Sequence, residues 1–217
     1  MRRTPEPELM ESEAQAVSYA QADFSESNQI FISNLLQQVP INSETKILDV
    51  GCGDGEIPIM LVKKTQCQIT AIDGSENMLK QFTLKKEKQN IKNIKIYKKL
   101  INKELFPDNV FDLVINNSVL HHISDVYLFW KNLIRLIGSR GKIFLMDLVR
   151  PESNAQLENT LSKYGGSDPI LLRDFENSLR AAYTIDEVRS QLSDFSQVTF
   201  DIKSVSDRHF FATINMR

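Results

Sequence analysis

Ile47-Leu48-Asp49-Val50-Gly51-Cys52-Gly53-Asp54-Gly55 decides how this chain is read. An apolar run carries one acid and then meets three glycines at alternate positions. A buried strand that must turn sharply at its carboxyl end and leave bare backbone for a ligand needs that composition. Each glycine costs about 0.5–1 kcal/mol of chain entropy relative to alanine, so a turn alone, the plainer reading, seldom needs all three. A second apolar run, Gln68-Ile69-Thr70-Ala71-Ile72, ends at Asp73. In the nucleotide-binding half of a doubly wound fold, an acid about 20 residues past the glycines bonds ribose hydroxyls.

Outward from this stretch, short apolar runs alternate with segments that keep apolar residues on one helical side. Strands are expected at 46–50, 67–72, 94–97, 111–115 and 142–148. Helices are expected over 57–64, over a segment capped by Ser75 that carries Met78, Leu79 and Phe82, and over a segment capped by Ser124. The last of these sets Val126, Phe129, Trp130, Leu133, Ile134 and Ile137 on one face until Gly138 stops it. Such alternation predicts a parallel sheet covered on both faces. Upstream, 1–9 reads as an extended Pro-rich arm, and 10–24 and 27–38 as helices. After Pro151 the rhythm changes. Residues 152–182 read as irregular and polar, Thr184-Ile185-Asp186-Glu187 as a capping box opening a helix, and 197–205 and 209–214 as closing strands.

The 217 residues suffice for one compact domain, and 41% hydrophobic with 25% charged residues is the composition of an ordinary globular chain. A net charge of −2 gives no overall pull toward nucleic acid or anionic lipid. Nine lysines do cluster between Lys80 and Lys103, against Glu87 and the adjacent Glu104. They read as a solvated edge that discourages sheet-to-sheet association, with an RNA or membrane patch as the sharper alternative. Cys52 and Cys67 lack a C-x-x-C partner, and with His121, His122 and His209 they make no recognisable zinc spacing, so no metal is expected. The amino terminus has no apolar signal core and no segment reaches membrane-span length, which points to the cytoplasm.

The loop reads D-x-G-x-G-x-G, not the G-x-G-x-x-G of dinucleotide enzymes. With Asp73 it resembles the class I S-adenosylmethionine (SAM) dependent methyltransferases. Residues Ala71-Ile72-Asp73-Gly74-Ser75-Glu76-Asn77-Met78-Leu79 are similar to the A-x-D-x-S-x-x-M-L that follows strand two in many small-molecule members. The run from Phe106 to Val114 resembles their approach to strand four, and Leu120-His121-His122-Ile123-Ser124-Asp125 their L-H-H-x-x-D just after it. Gly141-Lys142-Ile143-Phe144-Leu145-Met146-Asp147 resembles strand five with its terminal acid, and Arg150-Pro151 the continuation. The match covers about 45–151 and points to the quinone-methyltransferase-like branch, leaving the substrate open.

The resemblance implies a Rossmann-like, doubly wound α/β fold with a seven-stranded sheet, mostly parallel with an antiparallel last strand, plus N-terminal helices. It implies one domain over 1–217, divided into an N-terminal helical cap (1–42), a cofactor-binding core (43–151), and a substrate segment with closing strands (152–217). The implied reaction moves the methyl group of SAM to a small-molecule acceptor and leaves S-adenosylhomocysteine. Asp49 would lie near the methionine amino group, and Gly51, Cys52, Gly53, Asp73, Gly74, Met78 and Asn116 would complete the cofactor site. Members often carry an acid shortly after strand three for the adenine amino group; here that place falls near Leu100, with Asn102 as a substitute.

Both histidines follow strand four, and ligands of such folds sit beyond strand carboxyl ends. His121 is the candidate general base, because a neutral imidazole there can take a proton near pH 7; a plain helix entrance is the alternative. His209 is a weaker candidate. Tyr19, His122, Arg150 and Arg180 are candidate acceptor-binding residues, with core packing or surface salt bridges as their ordinary fates. Three rival readings stand: an RNA or protein methyltransferase, a dinucleotide-dependent oxidoreductase, and an inert SAM-binding protein. Asn116-Asn117-Ser118-Val119 lacks the N/D/S-P-P-aromatic signature of amino-methylating nucleic-acid enzymes, which disfavours nucleic acid. A monomer or homodimer is expected.

Overall fold

The computed structural model describes residues 1–6, 12–101 and 106–217. Two helices, α1 (Glu13–Gln21) and α2 (Ser25–Gln38), precede an alternation of strands and helices. It runs β1 (Lys46–Val50), α3 (Glu56–Thr65), β2 (Gln68–Asp73), α4 (Glu76–Lys88), β3 (Ile94–Lys98), β4 (Phe111–Asn117), a 3-10 turn (Leu120–His122), α5 (Val126–Leu136) and β5 (Ile137–Leu148). Then follow α6 (Asn154–Tyr164), α7 (Pro169–Ala181), α8 (Ile185–Ser193), β6 (Val198–Ser204) and β7 (His209–Met216). The strands form one seven-stranded sheet in the order β3-β2-β1-β4-β5-β7-β6. Only β7 runs antiparallel, against both β5 and β6. The expected mostly parallel sheet with an antiparallel last strand is what the chain forms.

Side chains alternate across the sheet, so successive strand residues feed different cores. Ile47, Ile69, Leu113 and Phe144 pack with Phe31, Leu35, Leu61 and Phe82 of α2, α3 and α4. Leu48, Val114, Leu145 and Phe210 pack with Trp130, Leu133, Val188 and Leu192 of α5 and α8. Both faces are therefore dry, which is why these strands are apolar in nearly every position. The edge strand β3 keeps lysines exposed, at Lys95 and Lys98. No helix among the described residues is long and apolar enough to cross a membrane.

Three expectations are corrected. The segment 152–182, expected to be irregular, holds α6 and α7. Ser153 caps the first by accepting from Gln156 N–H. Asp168 and Pro169 are the cap and first-turn proline of the second. Asp125, not Ser124, caps α5, through a bond from Leu128 N–H of 2.9 Å. Finally, α5 does not wait for Gly138 but ends at Leu136 and passes directly into β5. The start expected for the first helix, Met10, lies outside the described residues; α1 begins at Glu13 behind the cap Ser12.

Gly55 caps α3 in the left-handed region, at φ +82°. A Cβ there would stand 2.0 Å from the Phe82 ring, which is fully buried. Gly55→Ala should therefore combine backbone strain with overpacking and cost about 2–4 kcal/mol. An unfolding free energy from urea titration lowered by less than about 1 kcal/mol would show that Phe82 yields freely.

Candidate active site

The glycine loop is tied to the end of β2 by backbone groups. Gly51 and Cys52 both donate N–H to the Ile72 carbonyl, at 2.8 and 3.0 Å. Gly53 N–H donates to Asp73 Oδ2 at 2.9 Å, and Ser75 N–H to Asp73 Oδ1 at 2.8 Å. Asp73 thus fastens the loop through both of its oxygens. Burial raises its pKa above the ordinary carboxylate value, and the N–H groups of Ser75, Gly53 and Gly74 work against that rise. Met78 is buried in the first turn of α4, where Ser75 Oγ accepts its N–H. A Cβ on Gly53 would meet Met78 Cε at 3.3 Å, its one near neighbour, so the loop leaves this side open.

A cavity of about 440 Å³ lies between the loop and the α1–α2 helices, within the size range of small-molecule sites. Asp49, Gly51, Cys52 and Gly53 line it from the sheet, Asn117 from β4, and Tyr19, Phe24 and Asn28 from the helical side. The Tyr19 and Phe24 rings pack with centroids 4.6 Å apart. Burial, then the charges of Asp54 and Asp73, hold the Tyr19 phenol neutral and raise its pKa. At the rim Lys85 pairs with Asp54 and, at 3.1 Å, with Glu56.

The polar atoms below this cavity are unbalanced. Asp49 is 3% exposed and its Oδ2 has no hydrogen-bond partner. Burial, followed by the charge of Asp73, pushes its pKa up to about 8. Asn116 Nδ2 donates to the Val50 carbonyl at 2.7 Å, which leaves Asn116 Oδ1 without a partner. Asn117 Oδ1 is buried and equally unpartnered. Buried acceptors are normally satisfied, so the Asp49 carboxylate and the Asn117 amide, both of residues that line the cavity, fit a ligand rich in N–H and O–H donors. An ammonium group suits Asp49 best, because it would also stabilise the ionised carboxylate.

The remaining candidates lie elsewhere. His121, in the 3-10 turn after β4, is 3% exposed, with Nδ1 2.5 Å from Asp147 Oδ1. Burial lowers its pKa, but the Asp147 charge and hydrogen bond, with Glu6 behind them, outweigh burial and leave it raised. His122 Nδ1 stands 3.3 Å from Glu6. Arg150 donates to the Ala182 carbonyl at 3.0 Å and pairs with Glu187 at 2.6 Å. Arg180 pairs with Glu176 one turn earlier in α7. His209 is buried at the start of β7 beside Ser206; burial, then Arg208, brings its pKa down to about 4.

The structure therefore gathers Tyr19, Asp49, Gly51, Cys52 and Gly53 on one cavity, with Asp73, Gly74, Met78 and Asn116 bonded or packed behind the loop and β1. His121, His122, Arg150 and Arg180 are not among its lining residues. Leu100 is exposed, and Asn102 lies outside the described residues. Asn117, Phe24 and Asn28 were not singled out from sequence, although Asn117 sits next to Asn116 at the strand end, where a site was expected. Glu6 and the role of Asp147 were missed as well.

A family model described as a methyltransferase domain matches residues 41–184. The 27-O-demethylrifamycin SV methyltransferase of Amycolatopsis mediterranei is 24% identical over 174 residues, 80% of this chain and 61% of that protein. The demethylmenaquinone methyltransferase of Listeria welshimeri is 27% identical over 113 residues, 51% of this chain and 48% of that protein. The chain thus spans about half to three-fifths of the length of these relatives. Among solved structures, a putative SAM-dependent methyltransferase of Methanococcus maripaludis superposes with a TM-score of 0.77 at 18% identity, covering 98% of this chain and 97% of that one.

The charge state of Asp49 makes a stability prediction. Its folded pKa of about 8 lies above the ordinary 3.8, so between those values the folded chain binds more protons than the unfolded one. The stabilisation is full below the ordinary value and is lost as pH rises toward 8. Asp49→Asn should match the parent near pH 4 and exceed it at pH 9 by about 1–3 kcal/mol, the cost of an unsatisfied buried group. Parallel stability curves for the two proteins between pH 4 and 9 would refute the assignment.

Proposed function

Because the chain belongs to the methyltransferase-domain family, we propose that it transfers the methyl group of SAM to a small-molecule acceptor and releases S-adenosylhomocysteine. The observation that carries this reading is Asp49 Oδ2, buried and unpartnered under a cavity floored by loop backbone. Methionine's ammonium group is the partner that this oxygen lacks. SAM supplies an already activated methyl group, so the chain's main task is alignment in a dry site. In this reading Asp49 holds the amino group, while Gly51, Cys52 and Gly53 give close backbone approach. The Asp73 carboxylate, beside Gly74, takes a ribose hydroxyl. Met78 packs on the nucleoside side and Asn116 Oδ1 accepts a donor of the cofactor.

The acceptor is assigned to the carboxyl ends of β4 and β5, under the N-terminal helices and α6–α7. Tyr19, His122, Arg150 and Arg180 belong to that side. Tyr19 is the member of this set that also lines the cavity, which supports its place between cofactor and acceptor. His121 is proposed to take a proton from an acceptor that must lose one. The ionised Asp147 binds Nδ1–H and leaves the lone pair on Nε2, the orientation a base requires. Lys85 and Lys98 are paired with Asp54, Glu56 and Glu76, which supports the solvated-edge reading of the lysine run over an RNA patch. The reading includes a single domain, a cytoplasmic setting, and a monomer or homodimer.

Calorimetry with SAM tests the cofactor half. Asp73→Ala should weaken binding by about 1–3 kcal/mol, the range for hydrogen bonds to a charged group. Turnover, followed as S-adenosylhomocysteine released with a panel of phenols, quinols and carboxylates, tests the rest. His121→Ala should slow the transfer step by about 10²–10⁴ with SAM affinity nearly unchanged. No SAM binding by the parent chain would end this reading, and wild-type turnover in the histidine variant would end the role of His121.

A further inference from the structure

The first residues of the chain deliver a carboxylate to the histidine pair. Arg3 Nε donates to the Ala181 carbonyl at 2.6 Å and Arg3 Nη2 to the His121 carbonyl at 2.8 Å. The guanidinium lies 4.0 Å from the Tyr183 ring centroid, and Thr4 N–H donates to the Arg180 carbonyl at 2.9 Å. Held this way, the segment sets Glu6 Oε1 3.5 Å from His121 Nε2 and 3.3 Å from His122 Nδ1. The Glu6 side chain is only 9% exposed, and Oε1 has no hydrogen-bond partner. All three atoms lie within 4.8 Å of one another.

These separations are those of a coordination shell. Ligand atoms about 2.0–2.1 Å from a tetrahedral zinc ion stand about 3.3–3.4 Å apart. The two N···O distances, 3.3 and 3.5 Å, agree with that edge although neither is a hydrogen bond at Oε1. The lone pairs are also arranged. Asp147 Oδ1, 2.5 Å from His121 Nδ1, accepts that nitrogen's proton, and its Oδ2 accepts His121 N–H at 3.3 Å. This leaves the Nε2 lone pair directed at Glu6. A carboxylate behind a histidine that fixes its tautomer is the usual outer support of a metal-binding imidazole.

We propose that Glu6 Oε1, His121 Nε2 and His122 Nδ1 bind a divalent transition-metal cation, with zinc the natural occupant. Two imidazoles and one carboxylate make a borderline donor set that suits zinc and its neighbours better than magnesium or calcium. Three protein ligands leave one tetrahedral position for an exogenous oxygen. A cation there lowers the pKa of a bound hydroxyl; a metal-bound Nε2 accepts no proton, so the base role of His121 belongs to the metal-free chain. The sequence hides the set because its carboxylate comes from the first residues of the chain, far from any spacing pattern around the histidines.

The experiment is a titration of the full chain, stripped by chelator and without SAM, with cobalt(II) as the coloured stand-in for zinc. One equivalent should give the intense visible absorption of a tetrahedral site, and zinc should displace it. Glu6→Gln and His122→Gln should each weaken cobalt binding at least tenfold, and Asp147→Asn about 10–100-fold. Zinc should raise the melting temperature of the parent and not of Glu6→Gln. Near-UV dichroism of Trp130 checks that the variants are folded; the near-isosteric Glu6 and His122 variants carry the test if the Asp147 one is not. Binding that is not saturable at one equivalent, or that Glu6→Gln and His122→Gln leave unchanged, would overturn the proposal. Because no turnover is read, its failure is separate from failure of the methyl-transfer reading.

Discussion

Three N–H groups of the glycine loop end on β2: two on the Ile72 carbonyl and one on the Asp73 carboxylate. The rest of the site follows from that tie. A loop leaving a buried parallel strand must satisfy its backbone donors, and here the neighbouring strand end takes them. The donors are then consumed within the protein, and Asp49, one strand residue before the loop, receives none of them at Oδ2. A polar vacancy is thus created beside a cavity by the same bonds that hold the cavity's floor rigid. Rigidity and unsatisfied polarity in one place are what a positioning site for a cationic ligand requires.

Four buried or nearly buried carboxylates show how differently one fold can accommodate the same charge. Asp73 takes backbone N–H bonds, which counter part of its burial. Asp49 has no such bonds and holds its proton up to about pH 8. Asp147 is kept ionised by His121 against complete burial. For Glu6, burial wins over the attraction of His121, and its pKa is raised. Two of the four, Asp73 and Asp147, are settled within the protein. The other two, Asp49 and Glu6, each retain an oxygen without a partner, and each stands next to a candidate ligand position. The polar imbalance is concentrated where ligands are expected and is nearly absent from the two apolar cores.

The sheet was legible because its rules are local. Ile47 and Leu48 go to opposite faces, and both must be apolar when both faces are covered. The glycines and Asp73 were legible because a ligand-binding turn restricts residue type within a short span. The helices α6 and α7 were not, because their polar exposed faces outweigh the few buried positions, such as Leu157 and Leu179, that define them. Asp168-Pro169 opens α7, although such a pair ends a helix as readily as it opens one. The partner of the histidines was least legible of all. Nothing in the composition of residues 1–6 announces that Arg3 and Thr4 will be bonded to α7 and the 3-10 turn, and those bonds help to put Glu6 where it is.

Strand β4 joins the two halves of the site. The strand order turns back between β1 and β4, the crevice where doubly wound sheets bind ligands. Asn117, the last residue of β4, lines the cavity, and the 3-10 turn carrying His121 and His122 follows within the next few residues. One short, buried strand end therefore fixes the histidines relative to the glycine loop, independently of what covers them. The cover itself is assembled from parts remote in sequence: α1 bonds to α7 through Gln15 and Asp174 at 2.9 Å, and Arg3 holds the first residues to the end of α7. Loops and added helices above a fixed sheet are where specificity is free to change. Of these covering segments, α1 and the first residues lie outside the matched span 41–184, whereas α7 lies within it.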